Sequence, residues 1–337
     1  MSDNLFYKLH SGKPIKALWF ARKALGCLVP DIYYRSRRHA LLEKARRRPD
    51  YADMCRRVDY YCRLTKPWIM LNDDSIERDR SWMLYTGPFG RYKRSLFHTA
   101  YYYDQHDVTR WFPKHLRWHY LPGDVYFTPD EPTVVKSRLL SDDNVKSVLL
   151  KLDKLRHFMF VDDRKPFAEK QDRAIFRGKI RQSRLRTAFL EKFFGSDLCD
   201  CGVVGRNEGC PEEWMTEKKT IAEHLDYKFI IALEGNDVAS NLKWVMSSNS
   251  LAVMTRPTCE TWFMEGTLRP GYHYVEVKDD FSDLEEKLHH YIDHPDEAQA
   301  IIDHAHEYVR QFFDEEREEM LQVMVLDKYL HLSGQEF

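Results

Sequence analysis

Residues 227–254 carry the clearest patterning of apolar and polar positions in the chain. An apolar run of Phe229, Ile230, Ile231, Ala232 and Leu233 stops at a turn around Gly235. The small residues Val238, Ala239 and Ser240 then lead into a helical pattern over 241–247, and a second apolar run follows at 251–254. Strand, glycine turn, helix, strand is the order of one βαβ unit. Helix N-termini leave backbone N–H groups unpaired and carry positive dipole, so a glycine-rich approach to one suits a phosphate. A βαβ unit built only for packing has the same pattern, so the unit alone does not name a ligand.

The rest of the chain is read the same way. A helix is predicted over 33–61, with Lys- and Arg-rich exposed faces, and short strands at 67–71 and 82–85. Residues 98–120 are rich in His, Tyr and Trp and irregular in period. Strands are expected at 124–128 (DVYFT, ending at Pro129), at 158–161 and at 174–176, while 147–155 has no clear period. A helix follows at 183–194. Two more, at 283–292 and 297–312, close the chain, with Ser282 and Glu285 at capping-box spacing and Pro295 breaking between them.

No internal repeat or low-complexity linker interrupts this order. The second half alternates strand and helix, which predicts a parallel sheet covered by helices on both faces; the first half is a less regular α/β mixture. The pattern breaks at 162–170 (DDRKPFAEK), dividing the chain into domains 1–165 and 166–337. Two such domains facing one another place a cleft at the carboxyl ends of their strands.

Composition fits two globular domains: 337 residues, 43% hydrophobic and 14% aromatic, are enough for two sizeable cores. The Tyr and Trp content suits a ring-binding cleft and equally a core or an interface. Seven cysteines, an odd count with no C-x-x-C, indicate neither a disulfide framework nor a zinc ribbon. Cys199, Cys201 and Cys210 cluster loosely without a histidine at ligand spacing, so no metal site is expected there. A reducing cytoplasm fits this usage. No apolar run approaches the length of a spanning helix and no signal-peptide pattern opens the chain, so export is not expected.

Charge is uneven. The whole chain has a formal net charge of −1, yet residues 1–50 hold twelve Lys and Arg against four Asp and Glu, a net of about +8. In that part Ile15, Leu18, Trp19, Phe20, Ala24 and Leu25 interleave with Lys16, Arg22 and Lys23. Such a basic amphipathic segment suits an anionic membrane surface, and it equally suits a solvated helix whose stripe packs on its own domain. No nucleic-acid-binding module accompanies the charges, so nucleic acid is not expected as a partner.

Three constellations carry candidate chemistry. In Phe176-Arg177-Gly178, with Lys179, Arg181, Arg184 and Arg186 close behind, cations gather where a strand runs into a helix. Cations there oppose the helix dipole, and an anion between them relieves the conflict; a solvated basic face reads the same. The second is the Gly235 turn with Asn236, Asp237, Ser240, Asn241 and Lys243. The third is Pro129-Asp130-Glu131-Pro132, whose carboxylates could serve as a general base or be ordinary acidic turn residues.

The ordered series IFRG (175–178), HLDYKFIIALEGNDVASNLKWVMSSNSLAVM (224–254), ETWF (260–263) and YHYVEVKDDFSDLEEKL (272–288) resembles glycosyltransferase family 90. With LPGDVYFTPDEPTVVKSR (121–138), it is most similar to the bacterial lipopolysaccharide core-modifying branch, over roughly residues 115–330. The resemblance implies an α/β, GT-B-like fold of two Rossmann-like domains facing a central cleft. Domain 1–165 would take the acceptor and domain 166–337 the nucleotide sugar. It implies a UDP-sugar donor, inversion at the anomeric carbon, and transfer of a hexose, glucose or galactose, to a hydroxyl of a saccharide acceptor such as the lipopolysaccharide inner core.

It also implies site residues. Arg177, Gly178 and Lys179, with Gly235, Asn236, Asp237, Val238, Ala239, Ser240, Asn241 and Lys243, would hold the donor. Asp130 matches the base, with Glu131 and Asp124 as its neighbouring alternatives. Eukaryotic members carry Arg two residues after the turn Ser; this chain has Leu242 there, and Lys243 supplies the charge instead. No D-x-D occurs, so no metal or other cofactor is expected. The expected location is cytoplasmic, peripheral on the inner face of the bacterial inner membrane, where a lipid-linked acceptor is displayed. Two other readings remain: a non-catalytic sugar- or nucleotide-binding protein on a transferase scaffold, and a dinucleotide enzyme, against which stands the lack of G-x-G-x-x-G.

Overall fold

The computed structural model describes residues 14–69, 75–79, 82–92, 99–141, 143–180, 183–205 and 209–337. The chain gathers into two compact units, neither an unbroken segment. One is built from residues 16–155, 259–263 and 314–337, the other on 156–258 and 264–313. A single cut at 165/166 contains neither of the two returns.

The first unit holds a mixed sheet. Its strands are β1 (Ser75–Asp79), β2 (Trp82–Pro88), β3 (Arg117–Leu121), β4 (Thr133–Val135) and, after β5 (Ser137–Leu139), β6 (Ser147–Leu149). They lie in the order β1-β2-β3-β4-β6, antiparallel as far as β3 and parallel from there. Strand β5 pairs instead with β11 (Cys259–Thr261), antiparallel.

Two expected strands fail here for one physical reason, a backbone group taken by something other than a strand. Residues 124–128 are not a strand: the Ser137 hydroxyl occupies both backbone groups of Val125, donating to its O (3.2 Å) and accepting from its N (3.0 Å). In the segment expected at 67–71, residues 67–69 are irregular, with Trp68 N bonded to Leu332 O at 2.8 Å; 70–71 lie outside the described residues. The helix expected over 33–61 is two, Asp31–Arg46 and Tyr51–Tyr61, because Pro49 disfavours the helical conformation in the residue before it. The irregular stretch 98–120 contains the helix Thr99–Thr109 and β3.

A last helix, Glu315–Leu332, was not foreseen. Its first turn is acidic, and its buried face includes Glu318, which accepts from Arg57 and Lys151 (both 2.8 Å) and from Trp262 Nε1 (2.7 Å). A buried charge in place of an apolar residue hides the helical period.

The second unit holds a parallel sheet of β7 (Gln171–Gly178), β8 (Cys199–Val203), β9 (Tyr227–Ile231), β10 (Leu251–Met254) and β12 (Val275–Glu276). The order is β12-β10-β9-β7-β8, every pair parallel. Phe176, Phe189, Phe229, Val253, Leu284 and Ile301 belong to its core, which also takes Cys199 and Cys201. The βαβ unit forms as expected, although its helix is only Leu242–Met246. Residues 158–161 are not a strand; Val161 N donates to Ser247 Oγ at 3.0 Å.

The helix Leu284–Asp293 has no side-chain cap, so the expected Ser282–Glu285 box does not form; a capping box does form at Thr220 and Glu223. Pro295 is the first residue of the helix Pro295–Arg310, where its missing N–H costs nothing. Among the described residues, no helix is long and apolar enough to cross a membrane.

Candidate functional site

Strand order points to a candidate site. In the second unit the first strand, β7, lies between β8 and β9, so the chain runs from β7 to β8 in one direction along the sheet and from β9 to β10 in the other. Parallel sheets bind ligands outside the carboxyl ends of the strands at such a switch point. Here that is the end of β7, Arg177-Gly178, beside the chain leaving β9, residues 232–241. Two of the three constellations expected from sequence therefore meet.

Arg186 joins them. Its Nη1 donates to Lys179 O and its Nη2 to Leu233 O, both at 2.7 Å. A Cβ added to Gly235 would stand 3.0 Å from Arg186 Nη2, so glycine is what lets the guanidinium lie against that turn. Ser183 caps the helix Arg184–Phe193, accepting from Arg186 N (3.4 Å), and donates to Glu234 O (3.3 Å). The helix that opens on this crevice is thus the one following β7. At Gly178 an added Cβ would lie 2.8 Å from Phe176 Cζ; this glycine lets the chain pass over a core ring. Arg181 lies outside the described residues. Arg186 stood among the cations behind the glycine but not among the expected donor residues; its place three residues after the capping serine was the available signal.

The 235–241 loop divides its residues. Gly235 N donates to Asp237 O (2.9 Å), Asp237, Val238 and Ala239 are buried, and Asn241 Nδ2 donates back to Ile231 O (3.1 Å). Asn236 and Ser240 are exposed, as are Lys179 and Arg184 in the chain that follows β7.

Arg177 and Lys243 are committed elsewhere. Arg177 pairs with the Asp200 carboxylate and donates to Asp200 O (2.8 Å) and Phe176 O (2.9 Å). Asp200 also accepts from the Tyr227 hydroxyl. Burial pushes the Asp200 carboxyl up, but these hydrogen bonds and the Arg177 charge hold it below the usual carboxylate range. Burial and Asp200 push Tyr227 up to about 12. Lys243 has no exposed side-chain surface and pairs with the equally buried Glu265.

In the first unit, Asp130 and Glu131 are exposed in a turn between buried Pro129 and Pro132 rather than at the end of a strand. The Asp130 carbonyl accepts from Lys146 and the Glu131 carbonyl from Thr133 Oγ1 (2.8 Å); among the described residues neither carboxylate has a hydrogen bond. Asp124 pairs with the buried Lys136 at 2.5 Å.

Residues 140–334 match the model of Glycosyl transferase family 90. The chain belongs to that family. It is 37% identical, over 94% of its length and 96% of the relative's, to the O-glucosyltransferase LpsA of Dichelobacter nodosus. It is 29% identical to Protein O-glucosyltransferase 3 of rat and of human over 165 residues, 48% of this chain and 32% of each relative. A glycosyltransferase moves a sugar from a donor to an acceptor. The family match includes the β7–β9 switch point and begins beyond Asp130, whereas the likeness to LpsA extends over nearly the whole chain.

Proposed function

We propose that this family 90 chain is an inverting, metal-independent hexosyltransferase that uses a UDP-sugar, with the diphosphate held at the β7–β9 switch point. The observation that carries the reading is the Arg186 clamp. It ties the chain leaving β7, at Lys179 O, to the chain leaving β9, at Leu233 O, beside a helix N-terminus capped by Ser183. Positive dipole and cations there oppose the negative charge that grows on a departing diphosphate. The names of the relatives favour glucose, and a saccharide of the lipopolysaccharide inner core is the acceptor we favour. The resemblance to the bacterial branch is the support for a GT-B arrangement and a cytoplasmic site at the inner membrane.

The base is Asp130. As the acceptor oxygen attacks the anomeric carbon, the carboxylate takes its proton, the bond to the diphosphate breaks, and UDP leaves. A carboxylate held by a buried ammonium, as Asp124 is by Lys136, is the poorer proton acceptor. A non-catalytic binder is the second reading, favoured by the neutralisation of Arg177 and Lys243 by Asp200 and Glu265.

One experiment separates them. UDP, UDP-glucose and UDP-galactose are screened by thermal shift, and UDP release is then measured with a deacylated core saccharide, with and without a chelator. Stabilisation by UDP-sugars with chelator-insensitive release supports the transferase. Stabilisation with no release on any acceptor supports the binder, and no stabilisation by any of the three removes the donor site.

A further inference from the structure

Six of the eleven large hydrophobic side chains exposed among the described residues fall between positions 18 and 33: Leu18, Leu25, Leu28, Val29, Ile32 and Tyr33. The helix Lys16–Gly26 puts Leu18, Arg22 and Leu25 on one face, at spacings of four and three residues. Both leucines are 65% exposed. The opposite face looks inward. Trp19 and Phe20 meet the Tyr103 ring at 6.3 and 6.1 Å, and Lys23 pairs with Asp107.

The stripe that reads as one in the sequence is therefore split, one part packed on its own unit and one left bare. Leu28 (75% exposed) and Ile32 (67%) carry the bare part through the turn into the helix Asp31–Arg46. Its charge is of one sign. Asp31, the one acid between residues 14 and 42, is held by Lys114 at 2.8 Å. Lys16, Arg22 and Arg37 are exposed, with Arg37 lying 4.3 Å over the Tyr33 ring.

We propose that this surface docks on an anionic lipid bilayer, with Leu18, Leu25, Leu28 and Ile32 among the acyl chains and Lys16, Arg22 and Arg37 at the headgroups. Bare apolar side chains flanked by cations, with the nearby acid neutralised, fit a surface that is apolar below and negative above. A second copy of the chain fits worse, because a symmetric contact would bring the same cations together. The proposal deepens the reading of a transferase acting on a membrane-displayed acceptor. Docking differs from loose adsorption of a basic segment because part of the attachment is apolar and outlasts salt.

The test uses the full chain with vesicles of phosphatidylcholine alone or mixed with phosphatidylglycerol, floated at low and high salt. The wild type should bind the mixed vesicles and keep a salt-resistant fraction. Leu25→Ser with Leu28→Ser should lower partitioning at least about tenfold and abolish that fraction, from the apolar surface removed. Arg22→Gln with Arg37→Gln should weaken only the salt-sensitive part. Circular dichroism checks that the variants fold, and thermal shift with UDP on the same samples reports the donor reading separately. Absence of wild-type binding, or leucine variants that float like wild type, overturns the proposal. So does a wild-type dimer in sedimentation that the leucine changes split, with no vesicle binding, since the surface would then belong to a second copy.

Discussion

The Arg186 guanidinium lies where a side chain on Gly235 would begin, with Nη2 3.0 Å from the position of a Cβ. This contact locks the chain leaving β7 to the chain leaving β9. Gly235→Ala should push the guanidinium aside by a few tenths of an ångström, lowering stability by about 1 kcal/mol and UDP affinity several-fold. Arg186→Ala removes the bonds to Lys179 O and Leu233 O and should cost about 2 kcal/mol, with a larger loss of UDP affinity. Because both changes act on one contact, the double variant should cost less than the two together. Calorimetry with UDP and denaturant melts check this; full additivity would show that the contact does not couple the loops.

Lys243 and Glu265 form a buried ion pair, and removing one partner takes that pairing from the other, still buried, charge. Lys243→Ala should destabilise the chain by about 3–5 kcal/mol, and Lys243→Met with Glu265→Leu should restore much of it. An unchanged melting temperature combined with lost UDP binding would return Lys243 to the donor site as its cation.

Asp130→Asn keeps the shape of the side chain but cannot take a proton. Turnover should fall on the order of 10²–10⁴-fold while UDP-sugar affinity survives. Glu131→Gln should retain most activity. Asp124→Asn should lower the melting temperature, because it leaves the buried Lys136 ammonium without its carboxylate, and should retain activity below that temperature. Retained activity in Asp130→Asn with loss in one of the others moves the base to that neighbour.

Asp104 sets a pH dependence. Burial pushes its carboxyl up to about 6, although Lys154 and Lys23 stand 4.0 and 3.8 Å away. The folded chain therefore binds this proton more tightly than the unfolded chain. The contribution is complete below about pH 4 and is lost as pH rises to about 6, up to about 3 kcal/mol. Its neighbour Asp107 is held below the ordinary range by the same lysines, against the effect of burial, and acts only at lower pH. Asp104→Asn should remove the slope, so its stability relative to wild type rises between about pH 4 and about pH 6 and then levels. Denaturant midpoints across that range test it; parallel curves for the two proteins would show that Asp104 does not titrate there.

What the sequence determined by itself is local. The apolar runs at 229–233 and 251–254 are buried on both faces of a parallel sheet, so they read as strands without knowledge of their neighbours, and Gly235 between them marks the turn. The helices at 184–193, 284–293 and 295–310 were legible because their apolar faces repeat at helical spacing, with Ser183 at the start of the first and Pro295 at the start of the last. Only the tertiary structure decided where the charges go. Arg177 meets Asp200 across 23 residues and Lys243 meets Glu265 across 22, so two cations that look available along the chain are already paired. The same holds at 124–128, where the strand-forming residues Val125, Tyr126 and Phe127 promise a strand until Ser137 takes the backbone groups of Val125. It holds in the last helix, whose buried Glu318 draws its partners from positions 57, 151 and 262. A side chain's periodicity is a property of its neighbours in sequence. Its hydrogen bonds and its charge partner are properties of whatever folding sets beside it.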